Sequence, residues 1–113
     1  MSEHHNRHAG QGAVLLDIGG DIGALIVTAP PSLAGEEIEI RPVGRPAPAH
    51  LPHVAIVGRP IGDSIRHSAV FGELTEGTYE LYRRPDGPVV LRVTIIGGQV
   101  CQTEWPTSSQ SVQ

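Results

Sequence analysis

Apolar and polar positions alternate along this chain in short runs separated by glycine and proline. Over residues 36–41 the order is Glu, Glu, Ile, Glu, Ile, Arg. A strand there puts Ile38 and Ile40 on one face and Glu37, Glu39 and Arg41 on the other. Residues 78–82 alternate in the same way, with Tyr79 and Leu81 sharing a face. Residues 89–96, VVLRVTII, form the longest β-branched run and predict the longest strand. Residues 53–59 and 65–71 read as two strands around a turn at 60–64, and 72–77 reads as a second turn. Gly97-Gly98 turns the chain again, so that residues 99–105 return as a shorter, more polar strand. Near the start, two apolar runs, residues 13–16 and 24–27, flank Asp17-Ile18-Gly19-Gly20-Asp21-Ile22-Gly23. Glycine reaches positive φ without steric cost, so this stretch predicts a buried β-hairpin with a tight primed turn.

No window carries apolar residues at helical spacing over more than two turns. Residues 42–52 contain four prolines, which excludes a helix or a central strand and predicts a loop crossing between sheets. Seven to eight short strands between glycine and proline turns predict an all-β chain. The expected fold is an antiparallel β-sandwich, immunoglobulin-like or prealbumin-like, with a small barrel as the other closure. With only four aromatic residues, Val, Ile and Leu must fill the core. Residues 12–105 make up the expected domain. Residues 1–11 read as a polar, histidine-bearing arm, and 106–113 as a Ser, Gln and Thr tail.

Charge narrows the partners. The formal net charge is −4, and the eight basic residues are all arginine with no basic block, so a nucleic-acid partner is not expected. Lysine-free composition with 14 glycines and 10 prolines suits a high-GC genome such as an actinobacterium. No run approaches the ~18 apolar residues of a membrane span, and no signal-like segment follows the first charges. The expected compartment is the cytoplasm. The single Cys101 allows no intrachain disulfide and no clustered thiol site.

Histidine is the main candidate chemistry. His4, His5 and His8 form a His-His-x-x-His cluster on the arm, and His50, His53 and His67 follow in the domain. Imidazole is a good ligand for zinc, nickel and copper. Pairing 53–59 with 65–71 about Gly62 sets His67 opposite Val57, with His53 ~13 Å further along the hairpin. One ion then does not bridge them, and they are expected as surface or interface groups unless the arm or another subunit completes a site. Asp17 and Asp21 flank the first turn, where capping of backbone N–H groups is favoured over a cation or an acid/base pair. Ser64, Ser68 and Cys101 are the nucleophile candidates, but none lies in a Gly-x-Ser-x-Gly elbow. Trp105 and Tyr82 are candidate anchors for a partner, with burial in the core as the alternative. The polar last strand, ending in Trp105, has an edge that a second copy could pair with.

Three resemblances rest on particular residues. Gly77-Thr78-Tyr79-Glu80-Leu81 after Leu74 resembles a strand of prealbumin-like and carboxypeptidase-regulatory-like β-sandwich modules. Leu16-Asp17-Ile18-Gly19-Gly20-Asp21-Ile22-Gly23-Ala24-Leu25, with Gly97-Gly98-Gln99-Val100 leading to Trp105, resembles a group of small actinobacterial β-sandwich proteins. That likeness spans most of the domain and implies the fold without an activity. Asp17-Ile18-Gly19-Gly20 also resembles the phosphate-binding hairpin of the sugar-kinase, actin and Hsp70 superfamily. Those ATPases use two large α/β domains, for which 113 residues leave no room. Asp21 also stands where a small hydroxyl residue is usual and would repel phosphate, so a structural turn is the preferred reading. The expected function is a non-catalytic binding or assembly module, partnered by itself, by another protein or by a histidine-held transition metal. A small metal-dependent or hydrolytic enzyme is the alternative.

Overall fold

The computed structural model describes residues 16–106, which form an all-β sandwich of eight strands in two four-stranded sheets. The strands are β1 (Ile22–Ala29), β2 (Glu37–Pro42), β3 (His53–Ala55), β4 (Val57–Ile61), β5 (Ser64–Thr75), β6 (Gly77–Arg83), β7 (Val89–Ile95) and β8 (Val100–Glu104). A single 3-10 turn, Pro31–Leu33, follows β1. One sheet has the order β4-β5-β1-β8 and the other β3-β2-β6-β7. Leu25, Val27, Ala69 and Phe71 from the first sheet meet Ile38, Ile40, Leu81 and Val93 from the second in one core. The alternation in β2 lands as its pattern demands: Ile38 and Ile40 are fully buried, while Glu37 and Arg41 are exposed. The expected arm at 1–11 and tail at 106–113 lie outside the described residues, apart from Pro106.

Six local expectations are corrected, the simplest being the longest strand, which is β5 with twelve residues rather than β7 with seven. The first hairpin keeps its turn but not its pairing. Gly19 and Ile22 exchange both backbone hydrogen bonds at 2.9 Å around Gly20-Asp21. Gly20 has φ 56° and Asp21 a negative φ, the pattern of a type II′ turn. Residues 13–15 lie outside the described residues and Leu16 is not in a strand. Both edges of β1 are taken, antiparallel by β5 and parallel by β8, so β1 has no edge left for a preceding strand.

The proline loop does not cross between sheets, because β2 and β3 are antiparallel neighbours in one sheet. The loop is pinned by Arg45, whose guanidinium lies 4.9 Å from the Tyr79 ring centroid and donates to the Glu76 carbonyl at 2.8 Å. The crossing occurs at Ile56, which splits the expected strand 53–59 into β3 and β4. The Ile56 N–H donates to Glu36 O and its carbonyl accepts from Gly35 N–H, at 2.8 and 2.9 Å. These bonds turn a continuous apolar run through a corner from one sheet to the other.

The expected turn at 72–77 is largely strand: β5 continues to Thr75, and Glu76 alone separates it from β6. Finally, β8 does not return on β7. It crosses to the other sheet and runs parallel to β1, so the sandwich is not wholly antiparallel. Gly97 explains the crossing. A Cβ there would overlap the Gly20 carbonyl oxygen and stand 2.7 Å from Asp21 Cα. The chain passes flush against the first turn, and the Gly98 N–H donates to Ile22 O at 2.8 Å.

Candidate interaction surface

The outer faces of the two sheets differ in chemistry. On the β3-β2-β6-β7 sheet, arginines and glutamates interlock. Glu80 accepts from Arg41 at 3.1 Å and from Arg92 at 2.9 Å. Arg84 bridges Glu37 at 2.9 Å and Glu39 at 3.0 Å, and Arg83 reaches Glu36 at 3.0 Å. Hydrogen bonds from Arg92 and then Arg41 hold the Glu80 carboxyl below its ordinary value. Such exposed pairs contribute little individually to stability, but they satisfy this face with its own charges.

Tyr82 belongs to that network. It is buried, its O–H donates to Glu39 Oε2, and the Arg41 guanidinium lies 5.3 Å from its ring centroid. Burial, with the Glu39 hydrogen bond second, raises its pKa. Trp105 is also buried and joins the core cluster, its N–H main-chain group donating to Thr28 O at 2.7 Å. Both rings are buried, as the packing alternative for these two residues requires.

The candidate ligands and nucleophiles are dispersed. His4, His5 and His8 lie outside the described residues. His50 is exposed in the proline loop. His53 starts β3, with Nε2 3.9 Å from Glu37 Oε1. His67 lies on the opposite sheet, paired with Gly58 rather than with Val57, because the turn is centred between Gly62 and Asp63. Its ring packs over Gly58, where a Cβ would stand 3.0 Å from Nε2. Among the described residues no three His, Cys, Asp or Glu side chains are grouped to hold a metal ion.

Asp17 and Asp21 are exposed, and the turn is closed by the Gly19–Ile22 backbone pair rather than by either carboxylate. Ser64 Oγ donates to Ile61 O at 3.2 Å. Ser68 is buried, and Arg59 donates to both its Oγ and its carbonyl, at 2.8 and 2.6 Å. Cys101 is half-buried against the core beside Leu25.

The apolar surface lies elsewhere. β5 pairs with β1 only as far as His67, so residues 60–66 of the β4–β5 hairpin extend past the sandwich and are all exposed. Ile61 and Ile65 flank the Gly62-Asp63 turn at 52% and 58% exposure, and Val57 at 42% continues the outer stripe below Ile61. Two isoleucines beside a Gly-Asp turn were visible as a turn, but alternation alone does not say how far a hairpin outruns its sheet. At the same end, a cleft of about 840 Å³ lies between Pro30, Leu33, Pro85, Pro88, Val90 and Trp105. Among the described residues no helix is long and apolar enough to cross a membrane. No family model, curated protein or solved structure matches this chain.

Proposed function

We propose that this chain is a non-catalytic, cytoplasmic binding or assembly module on an immunoglobulin-like sandwich. The strand order supports the fold reading. β3-β2-β6-β7 follows the C′-C-F-G order of a variable-type sandwich, and β4-β5-β1 follows D-E-B. β8, parallel to β1, takes the place next to B that the first strand usually fills.

The observation that carries the functional reading is the free β4–β5 tip. Ile61 and Ile65 sit on a hydrogen-bonded hairpin, half or more exposed, beyond the last β1–β5 pair. Burying what remains exposed is worth roughly 1 kcal/mol per isoleucine, and the backbone carrying them is already ordered. Asp63 and Arg66 give the tip a polar rim. Ile61 pairs with Ser64 and Ile65 with Pro60, so the isoleucines stand on opposite faces, and the partner expected is a protein whose apolar cleft takes the tip between two walls.

Site-specific photocrosslinking in the native cell tests this. A benzophenone side chain replaces Ile61 in one variant and Glu73, exposed at the far end of β5, in a control. The reading predicts a discrete protein adduct from position 61 that the control lacks. Identical adduct patterns from the two positions, or none from position 61, refute it.

A further inference from the structure

A β-sandwich with two open sheets has four edge strands, and three of these carry recognised protection against pairing. β3 is three residues long. β4 carries Pro60, which has no N–H to offer. β8 is five residues long and carries Glu104. β7 differs from all of them. It is the longest of the four at seven residues, VVLRVTI, has no proline or glycine, and carries one charge, Arg92, and one bulge, opposite Leu81/Tyr82 near its start. β6 occupies one side of β7, and no described strand pairs with the other.

We propose that β7 is the self-association edge, pairing antiparallel with β7 of a second copy in a register centred on Val93. The sequence of β7 is self-complementary in that register. Successive strand residues alternate between faces, so pairing must set like faces opposite each other. Val93 meets its own counterpart on the two-fold axis. Inward-facing Leu91, half-buried, then lies opposite the buried Ile95 of the second copy, and exposed Arg92 lies opposite its exposed Thr94. Centring on Arg92 instead would oppose two guanidinium groups, and centring on Leu91 would set Arg92 against Val90.

Charge continues the argument across the sheet. Within one copy the row runs Arg41, Glu80, Arg92. In the paired state it passes on to Thr94 and Thr78 of the second copy, themselves cross-strand neighbours. No like charges meet at the junction. The product is one eight-stranded sheet built from two four-stranded ones, closed by a two-fold axis and with no β7 edge remaining. The claim stands independently of the β4–β5 tip, which lies on the other sheet.

Sedimentation equilibrium of the full chain, with Thr94→Glu and Thr94→Arg beside the wild type, tests the proposal. Thr94 is exposed, so both variants should fold as the wild type does. Each substitution acts twice about the axis, against Arg92 of the other copy. The expected result is a wild-type dimer whose dissociation constant falls in Thr94→Glu and rises in Thr94→Arg, the two differing about tenfold. Added salt should shrink that difference. A wild-type chain still monomeric at about 100 µM overturns the proposal. So does a dimer equally stable in both variants, which would assign the interface to another surface. A monomer whose β7 amides are protected from hydrogen exchange would give that edge to a segment of the same chain, and also refutes the dimer.

Discussion

Replacing Gly97 with alanine should damage this fold more than its single methyl group suggests. The added Cβ would overlap the Gly20 carbonyl oxygen, with Asp21 Cα at 2.7 Å and Asp21 C at 3.0 Å. All three are backbone atoms of a tight turn, so no side chain can swing aside. Relief requires the Gly97-Gly98 turn and the Gly20-Asp21 turn to separate. Overpacking of this kind costs about 1–3 kcal/mol. The separation also strains the Gly98 N–H to Ile22 O bond at 2.8 Å and the Gly97 N–H to Glu76 Oε1 bond at 3.2 Å, each worth ~1 kcal/mol. The sum is about 3–5 kcal/mol, or a melting temperature lower by roughly 15–25 °C in a domain of this size. Gly98→Ala is the matched control. Gly98 has φ 77° with nothing within 4 Å of its Cβ position, so it pays only the left-handed penalty of ~1–2 kcal/mol. Thermal unfolding followed by far-ultraviolet circular dichroism compares the two. If Gly97→Ala melts within a few degrees of the wild type, or above Gly98→Ala, the packed-turn argument fails.

Two further outcomes are expected. Tyr82 is raised above its ordinary value of 10.0 by burial and by Glu39, so the folded state keeps that proton when the unfolded chain has lost it. The stability contribution is complete below pH 10 and disappears as pH rises through the folded value. Chemical denaturation at stepped alkaline pH should therefore show a steeper loss in the wild type than in Tyr82→Phe; parallel curves would contradict the assignment. For metals, His50, His53 and His67 are placed apart on a loop and two different sheets. Any rise in melting temperature caused by zinc, nickel or copper should be the same in the wild type and in His50→Ala/His53→Ala/His67→Ala. A rise present only in the wild type would show that these three do share an ion.

What was legible in the sequence was whatever local alternation controls. Ile38 and Ile40 declare a half-buried strand because each neighbour is charged and one face must be dry. Tyr79 and Leu81 do the same on β6. The corner at Ile56 was not legible, because Val54-Ala55-Ile56-Val57 is an unbroken apolar run with no turn residue in it. The bend is imposed from Glu36 and Gly35, some twenty residues away in sequence. The direction of β8 was hidden for a related reason. Gly97-Gly98 has the composition of a hairpin turn, and only its contact with Gly20-Asp21 reveals a passage to the other sheet. The histidines show the same limit. Their spacing suggested a hairpin neighbourhood for His53 and His67, but the corner between them sends the two to opposite sheets. The exposed tip and the open β7 edge depend on which strands lie beside which, information that composition does not carry.

The parallel pairing of β1 with β8 has a mechanical consequence. Ile22 opens β1 at one end of the sheet, and Glu104 closes β8 at the other, beside Thr28. Tension applied between these two points runs along both strands in opposite senses. Their five paired positions are then loaded in shear, so the bonds between them resist together instead of peeling one by one. Pulled through these strands, the domain should yield abruptly at a single high force. Pulled across the β4–β5 hairpin, it should unzip gradually from the tip.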